Sequence, residues 1–381
     1  MSGAHAYLPP SGAGEWVACA MWPLMNAMYP QDDTEESREG TAAHWVWEPH
    51  LSYGAPLPAV GEFAPNGVPV SEEMLDGADL YVRTIDAALA ATGYSRASLQ
   101  VEYRVAMPHI HELNWGTLDT SFYAANLRRL YVFDYKFGHG FVDAFENWQC
   151  VDYLCGLVDD LARMYGQEPA LFEHGLSVTI VVVQPRNYDS SGPVREWTVP
   201  AADLRAMWNK LKAAAERALE PVPLATTGPQ CEHCPGRHAC SANQRQGYRA
   251  VALSRRSLPL ELPAQALATE LAILEDAQRD LEARISGLHA DAEVRVKRGE
   301  AVPGYGLQPS VGREGWSVAP ELAVSMAKMI GIDIAKPGAL TPAQARKAGV
   351  PADVVASISG RPVGGMKLAR IDQAALRKTF G

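Results

Sequence analysis

The sequence contains no uninterrupted apolar run of 18 residues or more, so no membrane-spanning helix of ordinary length is expected. Its first residues, MSGAHAYLPPSGAGEW, lack the basic and apolar regions of a secretory leader, and a cytoplasmic location is expected. Positive charge is in deficit: 34 Lys and Arg stand against 44 Asp and Glu, for a net charge of −10. That is not the footprint of a general nucleic-acid binder. It is compatible with carboxylates gathered at a metal site and with a local basic groove. No internal repeat and no low-complexity tract is present. Cysteine is sparse, six residues at positions 19, 150, 155, 231, 234 and 240, but three of them fall within CEHCPGRHAC. In a reducing compartment such a cluster favours metal binding over disulfides.

Hydrophobic residues make up 47% of the 381, enough for one large domain and a smaller one. Residues 11–29 read as a helix with Ser11 in an N-cap position. A second helix is expected over 36–48, a Pro- and Gly-rich loop over 49–70, and a third helix over 71–92. Three successive strands follow at 99–107, 116–125 and 129–138, rich in β-formers and bounded by turn residues. A helix over 147–166, a buried strand over 176–185 and a helix over 201–220 complete the pattern. The expected fold is α/β, a mixed central β-sheet flanked by helices. Residues 263–300 read as one long amphipathic helix, or two broken near Gly287, suited to packing on its own domain or to a dimer seam. A small hairpin is expected over 301–318 and short helices over 319–381. The expected division is a first domain over 1–250 and a helical C-terminal extension over 251–381.

The informative stretch is Gly116-Thr-Leu-Asp119 followed by Asp134-Tyr-Lys136. A tight meander places both aspartates at one strand edge. Asp134 and Lys136 are two apart and share a strand face. Mg²⁺ and Mn²⁺ favour one or two carboxylates together with water and substrate oxygens. An ammonium beside them suits phosphate chemistry, and the backbone carbonyl of Tyr135 can add a ligand. An Asp-x-Lys pair is also common on a solvated strand face. Here the apolar LYVF before it makes unused charges at that position costly. Gln149 and Tyr153, four apart, share a helix face. They fit either an active-site surface or the polar stripe of an amphipathic helix. Glu102 is an additional carboxylate or a sheet-edge charge, and Glu39 is a weaker candidate. Arg128, Arg129, Lys210 and Lys212 are candidate phosphate contacts or solvated charges. Cys231, Cys234 and Cys240 need a fourth ligand. His233 or His238 would make a zinc site, and Cys19 is the distant candidate. Cys150 and Cys155 read as small core residues.

Gly-x-x-Asp, then Asp-x-Lys, then Gln149-x-x-x-Tyr153 resembles the RecB-like branch of the PD-(D/E)XK nucleases, which have a restriction-endonuclease-like core. Gly40-Thr-Ala-Ala-His44 matches that branch's upstream Gly-x-x-x-His element. The resemblance implies Mn²⁺ or Mg²⁺ held by His44, Asp119, Asp134 and the Tyr135 carbonyl. It implies Lys136, Gln149 and Tyr153 as further catalytic residues. The imidazole tilts the choice toward Mn²⁺. The setting of Cys19 resembles that of iron–sulfur nucleases of the same group, which include the CRISPR adaptation nucleases. It implies a [4Fe–4S] cluster on Cys19, Cys231, Cys234 and Cys240, closing a loop of roughly two hundred residues. The arrangement also resembles a phage-encoded RecB-like family with a C-terminal Thr-Pro-Ala-Gln helix, here at 341–344. The implied function is a DNA exonuclease that resects single- or double-stranded ends in phage replication or recombination. The extension would serve DNA, a single-strand annealing or binding protein, or a second copy of the chain. Two alternatives stay open: a non-catalytic iron–sulfur scaffold binding DNA or protein, and a zinc-stabilised endonuclease.

Overall fold

The computed structural model describes residues 6–30, 33–253 and 263–306. The N-terminal segment reads as one helix in the sequence but is broken in two. Helix α1 (Ala13–Ala18) ends at Cys19, whose backbone is extended, and α2 (Trp22–Met28) restarts with Pro23 in its first turn. Helix α3 (Glu35–Tyr53) is capped by Thr34, whose hydroxyl accepts from the Ser37 N–H, with Glu35 and Glu36 at the positive helix end. It continues through Pro49 to Gly54, which takes the left-handed conformation that ends the helix. Helix α4 (Glu72–Thr92) repeats the device with Ser71 at one end and Gly93 at the other.

Strands β1 (Gln100–Ala106), β2 (Trp115–Ala124) and β3 (Arg129–Tyr135) form the expected antiparallel meander. Helix α5 (Trp148–Met164), capped by Asn147, carries the chain across one face of the sheet to β4 (Ser177–Val183), parallel to β3. Parallel neighbours need such a crossover. A short α6 (Pro169–Glu173) lies within it. Strand β5 (Val194–Pro200) then pairs antiparallel with β4, giving the order β1-β2-β3-β4-β5. The result is a mixed five-stranded sheet with helices on both faces, as the sequence pattern requires.

Two cores follow from the alternation along the strands. On one face Leu118, Leu130 and Val132 pack with Val151 and Leu154 of α5 and with Trp208 of α7 (Arg205–Ala218). On the other, Phe122, Phe133 and Tyr135 pack with Trp47 of α3 and with Tyr81 and Ile85 of α4. Cys150 and Cys155 are buried in the α5 core, as expected of small core residues.

Helix α8 (Ser241–Leu253) is followed by α9 (Ala264–Lys297), which runs unbroken through Gly287. A Cβ on Gly287 would meet Arg237 Cγ at 2.5 Å, so the glycine permits a close approach to the cysteine segment instead of marking a break. The chain divides into two units between 306 and 307. α8 and α9 therefore belong with the sheet and not to an extension beginning at 251. Residues 301–306 form no strand. The rest of the expected hairpin, the expected helices of 319–381 and the Thr-Pro-Ala-Gln segment lie outside the described residues.

Candidate functional site

Asp119 lies midway along β2, and Asp134 lies near the C-terminal end of β3. Because the strands run antiparallel, these two positions meet at one end of the β2–β3 pair. The Asp119 Oδ2 accepts from the Tyr135 N–H at 2.7 Å, so a side chain continues the ladder where the backbone pairing stops at Thr120 and Phe133. Asp134 is 2% exposed and faces α5. There Lys136 Nζ donates to Asp134 Oδ1 at 3.0 Å and to Gln149 Oε1 at 2.9 Å. Gln149 Nε2 closes the triangle on Asp134 Oδ1 at 3.1 Å. Asp134 Oδ2 is buried with no hydrogen-bond partner among the described residues.

His44 approaches from α3, on the other side of the sheet. Its Nδ1 is 3.6 Å from Asp119 Oδ1 and 3.8 Å from Glu102 Oε1. The three ligand atoms of His44, Glu102 and Asp119 lie within 4.8 Å of one another. The imidazole is held by a tilted contact to Trp47 and an edge contact to Tyr135, with ring centroids 5.4 Å away in each case. The Tyr135 side chain thus belongs to the α3–α4 core, which leaves only its backbone for the site.

Glu102 enters through a backbone anomaly. It sits inside β1 with φ of 46°, a left-handed conformation rarely adopted by a residue with a side chain. The pleat breaks there. Val101 packs on the α3–α4 core, whereas Tyr103, two residues on, packs on the α5 core. Opposite, Phe122 and Leu118 are likewise divided between the two cores.

Burial and the Lys136 charge dominate the electrostatics. Burial raises the Asp134 carboxyl; Lys136 opposes the shift and Asp119 adds to it. Burial also raises Asp119, against the pull of His44 and Lys136. For Lys136, burial works against the charge, but Asp134 and Asp119 outweigh it and hold the ammonium above its usual range. His44 follows the same logic: burial lowers it, and Asp119 with Glu102 raises it further. A divalent cation fits this set: hard carboxylate oxygens, one imidazole, and a buried carboxylate oxygen without a partner.

Tyr153 is placed differently from its expected role. Its hydroxyl donates to the Thr117 carbonyl at 2.6 Å, two residues before Asp119, and so fixes β2. Gly116 makes room for it, since a Cβ there would meet the Tyr153 hydroxyl at 2.7 Å. Glu39 is not a ligand but pairs with Arg186 at 2.7 Å, in a clasp that also takes Glu73 at 3.1 Å. The basic candidates are not at the site either. Arg128 and Arg129 stand at the opposite end of β3 from Asp134, and Arg128 caps the carbonyls of Phe172 and His174. Lys210 and Lys212 are exposed on α7.

Residues the sequence reading passed over are Trp45 and Glu48. With His44, Glu102 and Asp119 they line a groove of about 490 Å³. Glu48, four after His44, shares its helix face, and that was the available signal; the spacing of Trp45, one after, gave none.

The distant cysteine joins the clustered three. Cys19, Cys231, Cys234 and Cys240 line one pocket with Trp22 and Met25. Thr226 donates to the Ala18 carbonyl at 2.5 Å, tying the two chain segments together beside it. Arg284 of α9 holds the far side through the carbonyls of Arg237, at 3.0 Å, and His238. Burial raises the Cys231 thiol and pushes Cys234 up to about 11, with neighbouring cysteines adding to both. No three of the four sulfurs lie within 4.8 Å of one another, and neither His233 nor His238 completes a tighter group with them.

The molecule is thus a mixed-sheet α/β protein with a histidine–carboxylate–lysine constellation at one end of its central strands and a separate four-cysteine pocket. The chain belongs to a protein family of unknown function, DUF2800, whose model matches residues 5–335. Among the described residues no helix is long and apolar enough to cross a membrane.

Proposed function

We propose that this protein is a divalent-metal-dependent deoxyribonuclease of the PD-(D/E)XK type, acting as an exonuclease on DNA ends. The observation that carries the reading is the Asp134–Lys136–Gln149 triangle, with the carboxylate buried and the lysine and glutamine half-buried over it, joined through Asp119 to His44 and Glu102. An ordinary solvated Asp-x-Lys pair has no reason to have its carboxylate buried, cross-linked and left with one oxygen unmatched. His44, Asp119, Asp134 and the Tyr135 carbonyl would hold the cation, with Glu102 as an added carboxylate. The bound ion supplies Lewis-acid polarisation of a phosphodiester and lowers the pKa of a water at neutral pH.

The remaining work falls to the chain itself. Lys136 keeps its charge despite burial, and its ammonium is positioned to offset negative charge developing on a phosphate. Gln149 fixes both partners of the Lys136–Asp134 pair, so the ammonium does not have to reorganise. Tyr153 and Gly116 keep the β2 backbone in register behind Asp119. The assignment to DNA ends and to phage recombination follows from the motif resemblance.

The shared pocket of Cys19, Cys231, Cys234 and Cys240 is compatible with a [4Fe–4S] cluster, which is the reading the motif resemblance favours; a thiolate-bound zinc is the alternative. The cluster's role would be a staple between α1 and the segment after the sheet.

The test is degradation of 5′- and 3′-end-labelled single- and double-stranded DNA with Mn²⁺. Wild type is expected to release short products, and Lys136→Ala to lose about 10²–10³-fold in rate. Intact DNA on every substrate would remove the nuclease reading and favour a non-catalytic scaffold. Iron and sulfide analysis of anaerobically purified protein, lost in Cys19→Ser, tests the cluster.

A further inference from the structure

We propose that the groove beside the carboxylates is a slot for one unpaired nucleobase, with Trp45 as its stacking surface; the inference rests on the nuclease reading and names the substrate that site takes. The groove opens directly from His44, Glu102 and Asp119. Trp45 and Glu48 of α3 line it together with Ala64 and Pro65 of the following loop. Its lining includes three carboxylates and no lysine or arginine. Glu102 and Asp119 are taken up by the ion, so beyond it the lining offers a phosphate no cationic partner and one carboxylate, Glu48. A neutral planar ring needs no such partner, and an indole with a proline and an alanine offers it apolar contact.

The slot is built in advance of any ligand. Arg38 Nη2 donates to the Asn66 carbonyl at 3.0 Å, and Asn66 Nδ2 returns a bond to the Arg38 carbonyl at 2.7 Å. The 64–66 segment is thereby fixed to α3, the helix that carries Trp45. Gly40 also lines the groove, and a Cβ there would meet nothing within 4 Å, so the space beside it is open. A base stacked inside a duplex has no free face to offer. The slot therefore selects single-stranded DNA, or an end that has frayed by one nucleotide.

The experiment measures anisotropy of a fluorescein-labelled single strand and of the blunt duplex of the same sequence, using the full chain with Ca²⁺. Trp45→Ala is expected to weaken single-strand binding about tenfold or more, as for loss of one base–aromatic stack. Trp45→Phe should keep most of that affinity, and duplex binding should be unmoved in both. Gly40→Leu, which puts bulk into open space in the groove and leaves the indole in place, should reproduce the single-strand loss and covers the case in which Trp45→Ala fails to fold. Unchanged single-strand binding, or equal loss on both substrates, overturns the slot. Wild-type cleavage with no dependence on Trp45 would sink the slot and leave the nuclease standing. Binding that depends on Trp45, without cleavage by wild type, would do the reverse. No single-strand binding by wild type would end the slot, and cleavage alone then decides the nuclease reading.

Discussion

Asp152 offers the sharpest quantitative test of the structure. It has no solvent exposure, one residue before Tyr153 on α5. Its Oδ2 accepts from Asn114 Nδ2 at 2.9 Å, while its Oδ1 and the Asn114 Oδ1 both lack partners among the described residues. Burial pushes the carboxyl up to about 8, and the Asn114 bond pulls only weakly the other way. In the unfolded chain an aspartate titrates near 3.9, so the folded state binds this proton more tightly. The stability it contributes is complete below about pH 4 and is lost as pH rises toward the folded value of about 8. The slope is about 1.4 kcal/mol per pH unit, which accumulates to roughly 4 kcal/mol by pH 7. Asp152→Asn keeps the shape and the Asn114 contact but removes the titration. Urea unfolding of both proteins at pH 5, 6 and 7 should show the variant's advantage growing by about 1.4 kcal/mol per unit. It should level off above pH 8. An advantage that does not change with pH would refute the protonated, buried state of this carboxyl.

Two further outcomes follow from the site. Gly116→Ala drives a Cβ into the Tyr153 hydroxyl and to 2.9 Å from Pro10 Cδ; overpacking of this kind costs about 1–3 kcal/mol in urea unfolding, and DNA cleavage should fall with it because β2 carries Asp119. Mn²⁺ at a hundredfold its dissociation constant should stabilise the fold by about 2.7 kcal/mol, read as a rise of roughly 5 °C in Tm, and Asp119→Asn or Asp134→Asn should abolish the rise. The same rise should shrink as pH falls from 8 to 6, because His44 holds its proton above the ordinary imidazole value of 6.5 and must release it to the ion; the raised Asp119 and Asp134 carboxyls extend the loss as pH falls further.

The sequence made the frame legible where local chemistry and tertiary need agree. The Ser71 cap and the period-two strands gave the helix–meander–helix order, and the spacing of Asp119, Asp134, Lys136 and Gln149 named residues that the structure brings together. Strand β5 was not read because Arg195 occupies an inward position. Its guanidinium is buried on Gln184 and on the carbonyls of Val142 and Gly192, partners that no local pattern discloses. The break at Cys19 was hidden for a related reason. The helical period of 11–29 is genuine, but the chain turns there and brings Cys19 to the pocket of the later cysteines. Tyr153 had the right spacing for an active-site face, yet its hydroxyl is taken by a strand carbonyl, and only coordinates distinguish those uses of a buried phenol.

Glu102 was legible as a candidate carboxylate but its left-handed backbone was not, and the reason bears on how the site can exist. The side chains of Asp134 in β3 and of Lys136 just beyond it face α5, whereas His44 comes from α3 on the opposite layer. A sheet separates the two layers everywhere except where its backbone pairing ends, so ligands from both can share one ion only at such a place. The interruption of the β1–β2 pleat at Glu102 and Asp119 provides it, because the residues on either side pack into different cores. A left-handed glutamate costs about 1–2 kcal/mol relative to extended backbone, and a glycine would relieve that cost. A carboxylate kept at such a position, within 4.8 Å of a histidine and a second carboxylate, is better explained by the charge it brings than by the fold it disturbs.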